Sequence, residues 1–248
     1  MDIENIIARV TDEVYAQLAQ SGLAQPVQSK SNGALALAGS IEHSLLNPDT
    51  SADVIRKGCE DAKKYGFANI CVSPYYVGMA AELLKGSGVA VCAPVGFPHG
   101  AASTKAKCAD IREAIMNGAT ELDLSLMIVA IKSGDYDYVK KDLYEMVSVV
   151  GGRAKIKAIY EQGLLSDEEK EKSLKIALAS GAEYIKISNA LTGKKACMDD
   201  VKYVRSIVGN KIGIKIDGGI KDPVTAQKLL DAGANRLGCS ASVKIVNG

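Results

Sequence analysis

Eight short β-rich runs recur along the chain at roughly 25-residue spacing, and a helical pattern fills each gap between them. The runs lie at 37–43, 68–73, 89–96, 119–126, 154–160, 183–188, 212–217 and 235–239. Helices are expected over 51–65, 75–86, 102–117, 135–150, 166–180, 198–208 and 222–232. A helix between successive strands forces parallel pairing through right-handed crossovers. "NPDTSADVI" and "LSDEEKEKSL" supply N-caps with acidic first turns, and the glycines of "NGA", "SGA" and "AGA" end helices just before a strand. The expected architecture is α/β, a closed (β/α)8 TIM barrel over residues 35–248. An open doubly wound sheet is the alternative, although no GxGxxG turn follows the first strand.

Side chains alternate along a strand, which exposes an unusual property of these runs. In "ELDLSL", Leu122, Leu124 and Leu126 oppose Glu121, Asp123 and Ser125. In "AKIKAIYE", Ile156 and Ala158 oppose Lys155, Lys157 and Glu161. In "YIKIS", Ile185 and Ile187 oppose Lys186 and Ser188, and in "IGIKID" three isoleucines oppose Gly213, Lys215 and Asp217. On a single strand this pattern would mean a face in water. Here helices cover one face of every strand, so the apolar residues meet the helices and the charged ones point into the barrel. A barrel interior is ordinarily filled by Val, Ile and Leu. Buried charge carries a desolvation cost that points to chemistry.

Lys186 and Lys215 stand at matching heights on consecutive strands, which lie about 4.8 Å apart. Two ammonium groups at about 5 Å repel by roughly 3 kcal/mol at an effective dielectric near 20. The expectation is a Lys186 pKa lowered towards about 7–8, giving a neutral amine that attacks carbonyls and forms a Schiff base. Asp123 would then move protons. Strand 7 runs into "IDGGIKD" and strand 8 into "GCSAS", the two positions where barrels of this kind bind phosphate through backbone N–H groups.

The markers "IEHSLL" with "NPDTS", "ICVSPYYV", "VGFPHGA", "GATELDLSL", "IKAIYE", "GAEYIKIS", "GIKIDGGIK" and "RLGCSASVKIV", in this order over about 38–246, resemble the deoxyribose-phosphate aldolases. The resemblance implies a metal-free, cofactor-free class I aldolase. Such an enzyme reversibly cleaves 2-deoxy-D-ribose 5-phosphate to D-glyceraldehyde 3-phosphate and acetaldehyde. It further implies Lys186 as the Schiff-base lysine, Lys215 as the lysine that lowers its pKa, and Asp123 as the proton-transfer carboxylate. Lys157, Cys71 and Glu42 would support them, Glu42 standing where the family has an aspartate. Ser188, Asp217, Gly218, Gly219, Lys221, Gly238 and Ser240 would form the substrate and phosphate end. The departures fall at that end. The Schiff-base lysine is followed by Ile187-Ser188-Asn189-Ala190 rather than Thr-Ser-Thr-Gly, Asp217 replaces a small residue, Lys221 an arginine, and Ala241 the second serine of a pair.

Net charge is +1 with no charge block, and no run is long enough for a membrane span, so neither nucleic acid nor membrane is an expected partner. Six scattered cysteines without a CxxC pair suit reduced thiols in the cytoplasm, and two histidines, His43 and His99, without HExxH argue against a metal centre. His99 reads as a loop residue, and Lys194 and Lys195 as a solvated loop. Residues 1–20 carry Ile3, Ile6, Ile7, Val10, Val14 and Leu18 in one apolar stripe, followed by a polar linker over 21–34. That amphipathic helix is expected either to cap the barrel or a homodimer partner, or to resemble the targeting helices that load enzymes into bacterial microcompartments. Three functions remain open from sequence: the acetaldehyde-dependent aldolase, a Schiff-base aldolase for another or non-phosphorylated aldehyde acceptor, and an inactive barrel scaffold. Retention of the buried lysine pair argues against the third.

Overall fold

In the computed structural model, which describes residues 37–248, eight parallel strands close into a barrel in the order β1 to β8. The strands are β1 (Ile41–Leu45), β2 (Asn69–Val72), β3 (Ala90–Val95), β4 (Glu121–Ser125), β5 (Lys155–Glu161), β6 (Tyr184–Ser188), β7 (Gly213–Asp217) and β8 (Arg236–Cys239). Helices α1 (Ala52–Tyr65), α2 (Val77–Leu84), α3 (Thr104–Met116), α4 (Ile128–Lys132) and α5 (Tyr136–Val150) follow the first four strands. Then come α6 (Asp167–Ala179), α7 (Met198–Val208), α8 (Pro223–Asp231) and the C-terminal α9 (Ser242–Asn247). No helix among the described residues is long and apolar enough to cross a membrane. The helix and linker expected over 1–20 and 21–34 lie outside the described residues.

The expected N-caps form. Ser51 accepts from the Val54 N–H, and Ser166 builds a capping box with Glu169, each satisfying donors that a helix start leaves unpaired. Strand 1 differs from the sequence expectation. Residues 37–40 are helical and the strand begins at Ile41. Residues 37–40 are Leu, Ala, Gly and Ser, none of them β-branched or aromatic, so strand preference sets in only at Ile41. The short helices α4 and α9 were also not expected from periodicity.

The outward strand residues Leu122, Leu124, Ile156, Ala158, Ile185, Ile187, Ile214 and Ile216 are all buried beneath the helices. This apolar sleeve leaves the inward face to the polar residues, as alternation required. Glu42, Asn69, Glu121, Asp123, Lys157, Lys186 and Lys215 are buried inside the barrel. A second buried pair, Lys107 with Asp142 at 2.5 Å, joins α3 to α5, and Lys107 also donates to the Gly100 carbonyl below the Phe97–Pro98 loop.

Candidate active site

Register places the ionic residues. Lys186 of β6 is the direct partner of Lys215 of β7, and Asp123 of β4 is the partner of Lys157 of β5. Asp123 sits between all three lysines: its Oδ1 accepts from Lys157 at 3.1 Å, and its Oδ2 accepts from Lys186 at 2.9 Å and Lys215 at 2.8 Å. Glu42 of β1 closes the ring, its Oε2 lying 2.5 Å from Lys215 Nζ and 3.5 Å from Lys157 Nζ. Lys157 also meets Glu121 at 2.6 Å, and Asn69 donates to the same Glu121 oxygen at 2.6 Å. On the cavity side, Asp217 at the end of β7 reaches Lys186 Nζ at 2.9 Å, and the Phe97 ring centre lies 5.1 Å from that nitrogen.

These carboxylates overturn the expected charge state of Lys186. Burial pushes its ammonium pKa down, but Asp123 and then Asp217 outweigh burial, and the group is held above its ordinary value. Lys215 does act downward on it, as the matching strand heights implied, but two contacting carboxylates dominate one ammonium. Lys157 and Lys215 are likewise held well above the ordinary lysine value, in both cases against the pull of burial and chiefly by Asp123. Burial pushes the Asp123 carboxyl up, yet Lys157, Lys186 and Lys215 together hold it well below the usual carboxylate range. The site is therefore a network of three ammonium groups and their carboxylates, not a primed neutral amine.

Cys71 and Cys92 are partners on β2 and β3, and their sulfurs and an Asp123 oxygen all lie within 4.8 Å of one another. This is the donor set closest to a metal site among the described residues. Lys157 Nζ already stands 3.5 Å from Cys92 and 3.1 Å from Asp123, so a cation there would have to displace an ammonium. Cys92, Glu121 and Phe97 were not among the sequence candidates. Strand parity in "VCAPV" and "ELDLS" marks the first two as inward; nothing local marks Phe97, which a loop carries to Lys186.

Asp217, Gly218, Gly219, Lys221, Gly238 and Ser240 share a cavity of about 330 Å³ at the C-terminal ends of β7 and β8. Gly218 and Gly219 have φ of 130° and 63°, where glycine is favoured. A Cβ on Gly218 would stand 3.0 Å from the Lys194 carbonyl, so the turn also needs the missing side chain. Ser188 lies outside the lining of this cavity; its hydroxyl is buried and accepts from the Ala190 N–H. Asn189 ties the wall together by accepting from Gln162 and donating to the Asp217 carbonyl. His99 is exposed, and Lys194 is exposed and paired with Asp200 at 2.9 Å.

No family model matches the chain. A curated relative from Caldanaerobacter subterraneus subsp. tengcongensis, named deoxyribose-phosphate aldolase, is 43% identical over 219 residues, spanning 88% of this chain and 95% of the relative. A solved structure called QR15, an aldolase, superposes with a TM-score of 0.81 at 32% identity, over 85% of this chain and 94% of that one. The tetrameric deoxyribose phosphate aldolase from Aeropyrum pernix gives a TM-score of 0.81 at 26% identity, over 88% and 92% of the two chains.

Proposed function

The chain belongs to the deoxyribose-phosphate aldolase family, and on that premise we propose how its own residues carry the reversible cleavage of 2-deoxy-D-ribose 5-phosphate to D-glyceraldehyde 3-phosphate and acetaldehyde. The protein is a lyase of small sugar phosphates and aldehydes. Lys186 is the proposed nucleophile. Its neutral amine adds to the C1 aldehyde of the open-chain sugar, and the carbinolamine loses water to give an iminium. As the C2–C3 bond breaks, the C3 hydroxyl releases its proton, C3 leaves as the aldehyde of glyceraldehyde 3-phosphate, and C2 remains as an enamine on Lys186. Protonation at C2 and hydrolysis release acetaldehyde and restore the amine.

The observation that supports this reading most is the placement of Lys186 Nζ, buried at the centre of β6 and held between Asp123 and Asp217. Lys215 is the proposed neighbour whose charge favours loss of the Lys186 proton. Asp123 is the proposed proton-transfer group of the enamine stage. An iminium has one N–H where the ammonium had three, so Schiff-base formation loosens one of the two ammonium contacts on Asp123 Oδ2 and leaves that of Lys215. Lys157 holds Asp123, Glu42 holds Lys215 and Lys157, and the Cys71 sulfur lies beside Asp123. The glycine turns at 218–219 and 238, with Ser240, Ser188 and Lys221, are proposed for the phosphate end. The direct assay is release of acetaldehyde from deoxyribose 5-phosphate, halted by borohydride through reductive trapping.

Two results follow for the pocket. Lys215→Leu removes the charge that acts downward on Lys186, so the Lys186 pKa rises and the pH optimum of kcat/KM moves upward. An optimum that stays or moves to lower pH would take Lys215 out of that role. Asp217→Ser removes a negative charge from the cavity wall, and the ratio of kcat/KM for deoxyribose 5-phosphate over deoxyribose is expected to rise about tenfold, equivalent to about 1.4 kcal/mol. Asp217 is also the feature that favours a non-phosphorylated acceptor as the second reading, and an unchanged ratio would remove that support.

Cytoplasmic residence, homodimer assembly and loading into a microcompartment through residues 1–20 are proposals that rest on the sequence alone. Light scattering on the purified protein tests the dimer, with a tetramer, as in the Aeropyrum pernix relative, as the outcome that replaces it. Puncta from a fluorescent fusion of residues 1–22 in the presence of shells would support loading; diffuse signal would reject it.

A further inference from the structure

Lys186 can attack a carbonyl only after losing a proton, and the resting site holds it as an ammonium. The two carboxylates in contact with it are not equivalent. Asp123 is fully buried and its oxygens are taken: Oδ1 by Lys157 and by the Cys92 thiol at 3.2 Å, Oδ2 by Lys186 and Lys215. A proton placed on Asp123 would weaken its attraction to three ammonium groups at once. Asp217 touches Lys186 through Oδ2 at 2.9 Å, and its Oδ1 has no hydrogen-bond partner. Its side chain is 23% exposed and lines the cavity at the C-terminal ends of β7 and β8. Gly238 makes room for it, because a Cβ at that position would collide with the Asp217 carboxylate. Among the described residues no third carboxylate lies within 4.0 Å of Lys186 Nζ.

We propose that Asp217 takes the proton from the Lys186 ammonium and returns it to the carbinolamine hydroxyl; the proposal rests on the reading of Lys186 as the Schiff-base lysine. The step balances. The Lys186 ammonium gives one proton to the Asp217 carboxylate, leaving an amine and a carboxylic acid. The amine nitrogen forms a bond to the aldehyde carbon, and one of its remaining protons moves to the former carbonyl oxygen. The carboxylic acid then protonates that hydroxyl, the C–O bond breaks, and water leaves. The products are an iminium, water and the ionised Asp217, so the carboxylate is a true catalyst. The groups around Asp217 are consistent with this exchange: Lys186 on β6, Lys215 on its own strand, Cys239 on β8, and Asp123 beyond Lys186.

The test separates proton transfer from simple pairing, because the two predict opposite signs. Full-length protein is mixed with acetaldehyde, borohydride is added at timed intervals, and the two-carbon adduct on the Lys186 peptide is followed by mass spectrometry. Asp217→Asn keeps the shape and removes the base, and the adduct should form about 10²-fold more slowly, the lower end of what general acid–base catalysis contributes. If Asp217 only holds Lys186 as an ammonium, its neutralisation lowers the lysine pKa and the adduct forms faster. A faster or unchanged rate therefore overturns the proposal. Asp217→Ala provides a second arm: formate, diffusing into the vacated space, should restore the rate, and a slow variant that formate does not restore also overturns it. Absence of any adduct on Lys186 in the unsubstituted protein would instead sink the Schiff-base reading itself.

Discussion

Replacing Lys186 with alanine abolishes both turnover and borohydride-dependent labelling by acetaldehyde. The expected loss is on the order of 10⁴-fold or more, the scale that follows removal of a covalent nucleophile. Nothing nearby can take over. Lys215 is held by Glu42 at 2.5 Å and Asp123 at 2.8 Å, and Lys157 by Glu121 at 2.6 Å and Asp123 at 3.1 Å. Each is fully buried, without the contact to the cavity wall that Asp217 gives Lys186. The fold should survive, since alanine leaves Asp123 with two ammonium partners, Lys157 and Lys215. An adduct found mainly on Lys157 or Lys215 in the unsubstituted protein, or retained turnover in the variant, would overturn the assignment of the nucleophile.

Replacing Asp123 with asparagine damages stability and activity together. The carboxylate is the common partner of Lys157, Lys186 and Lys215, and all three are buried. Removing one member of a buried ionic set leaves uncompensated charge and costs roughly 3–5 kcal/mol. The pH dependence identifies the cause. The native-state pKa of Asp123 is depressed below its ordinary value of 3.8, so its contribution is complete above about that pH and is lost as pH falls through the native value. The stability gap between the two proteins should therefore be full at neutral pH and close in strong acid. Denaturant midpoints measured from pH 7 downward give this directly. Activity should fall by about 10²-fold or more, because the proton-transfer group of the enamine stage is lost. A gap of under about 1 kcal/mol at pH 7 would show that the lysines find other partners.

Much of this site was legible in the sequence because strand alternation has a period of two. Once helices are known to cover one face, "ELDLS", "YIKIS" and "GIKID" can place their charges only inside the barrel, and burial of Asp123, Lys186 and Lys215 follows. The pairing of Lys186 with Lys215 was legible for the same reason, each being the central residue of its strand run. The start of strand 1 was not, since residues 37–40 carry no β-branched or aromatic side chain and strand pairing begins only at Ile41.

The sequence by itself determined the closed parallel barrel, its ionic interior and the inward position of Lys186, because periodicity and crossover geometry leave few alternatives. Only the tertiary structure decided the charge state of that lysine. Closing the barrel brings Glu42 to Lys215 across 173 residues of chain, and the interior packing puts Asp123 among three lysines from three other strands. It also turns Asp217 onto Lys186. Coulomb energy depends on separation and direction in space rather than on sequence spacing. Two ammonium groups on neighbouring strands predict a depressed pKa in isolation; Asp123 from β4 and Asp217 at the end of β7, each at 2.9 Å from the same nitrogen, reverse the sign.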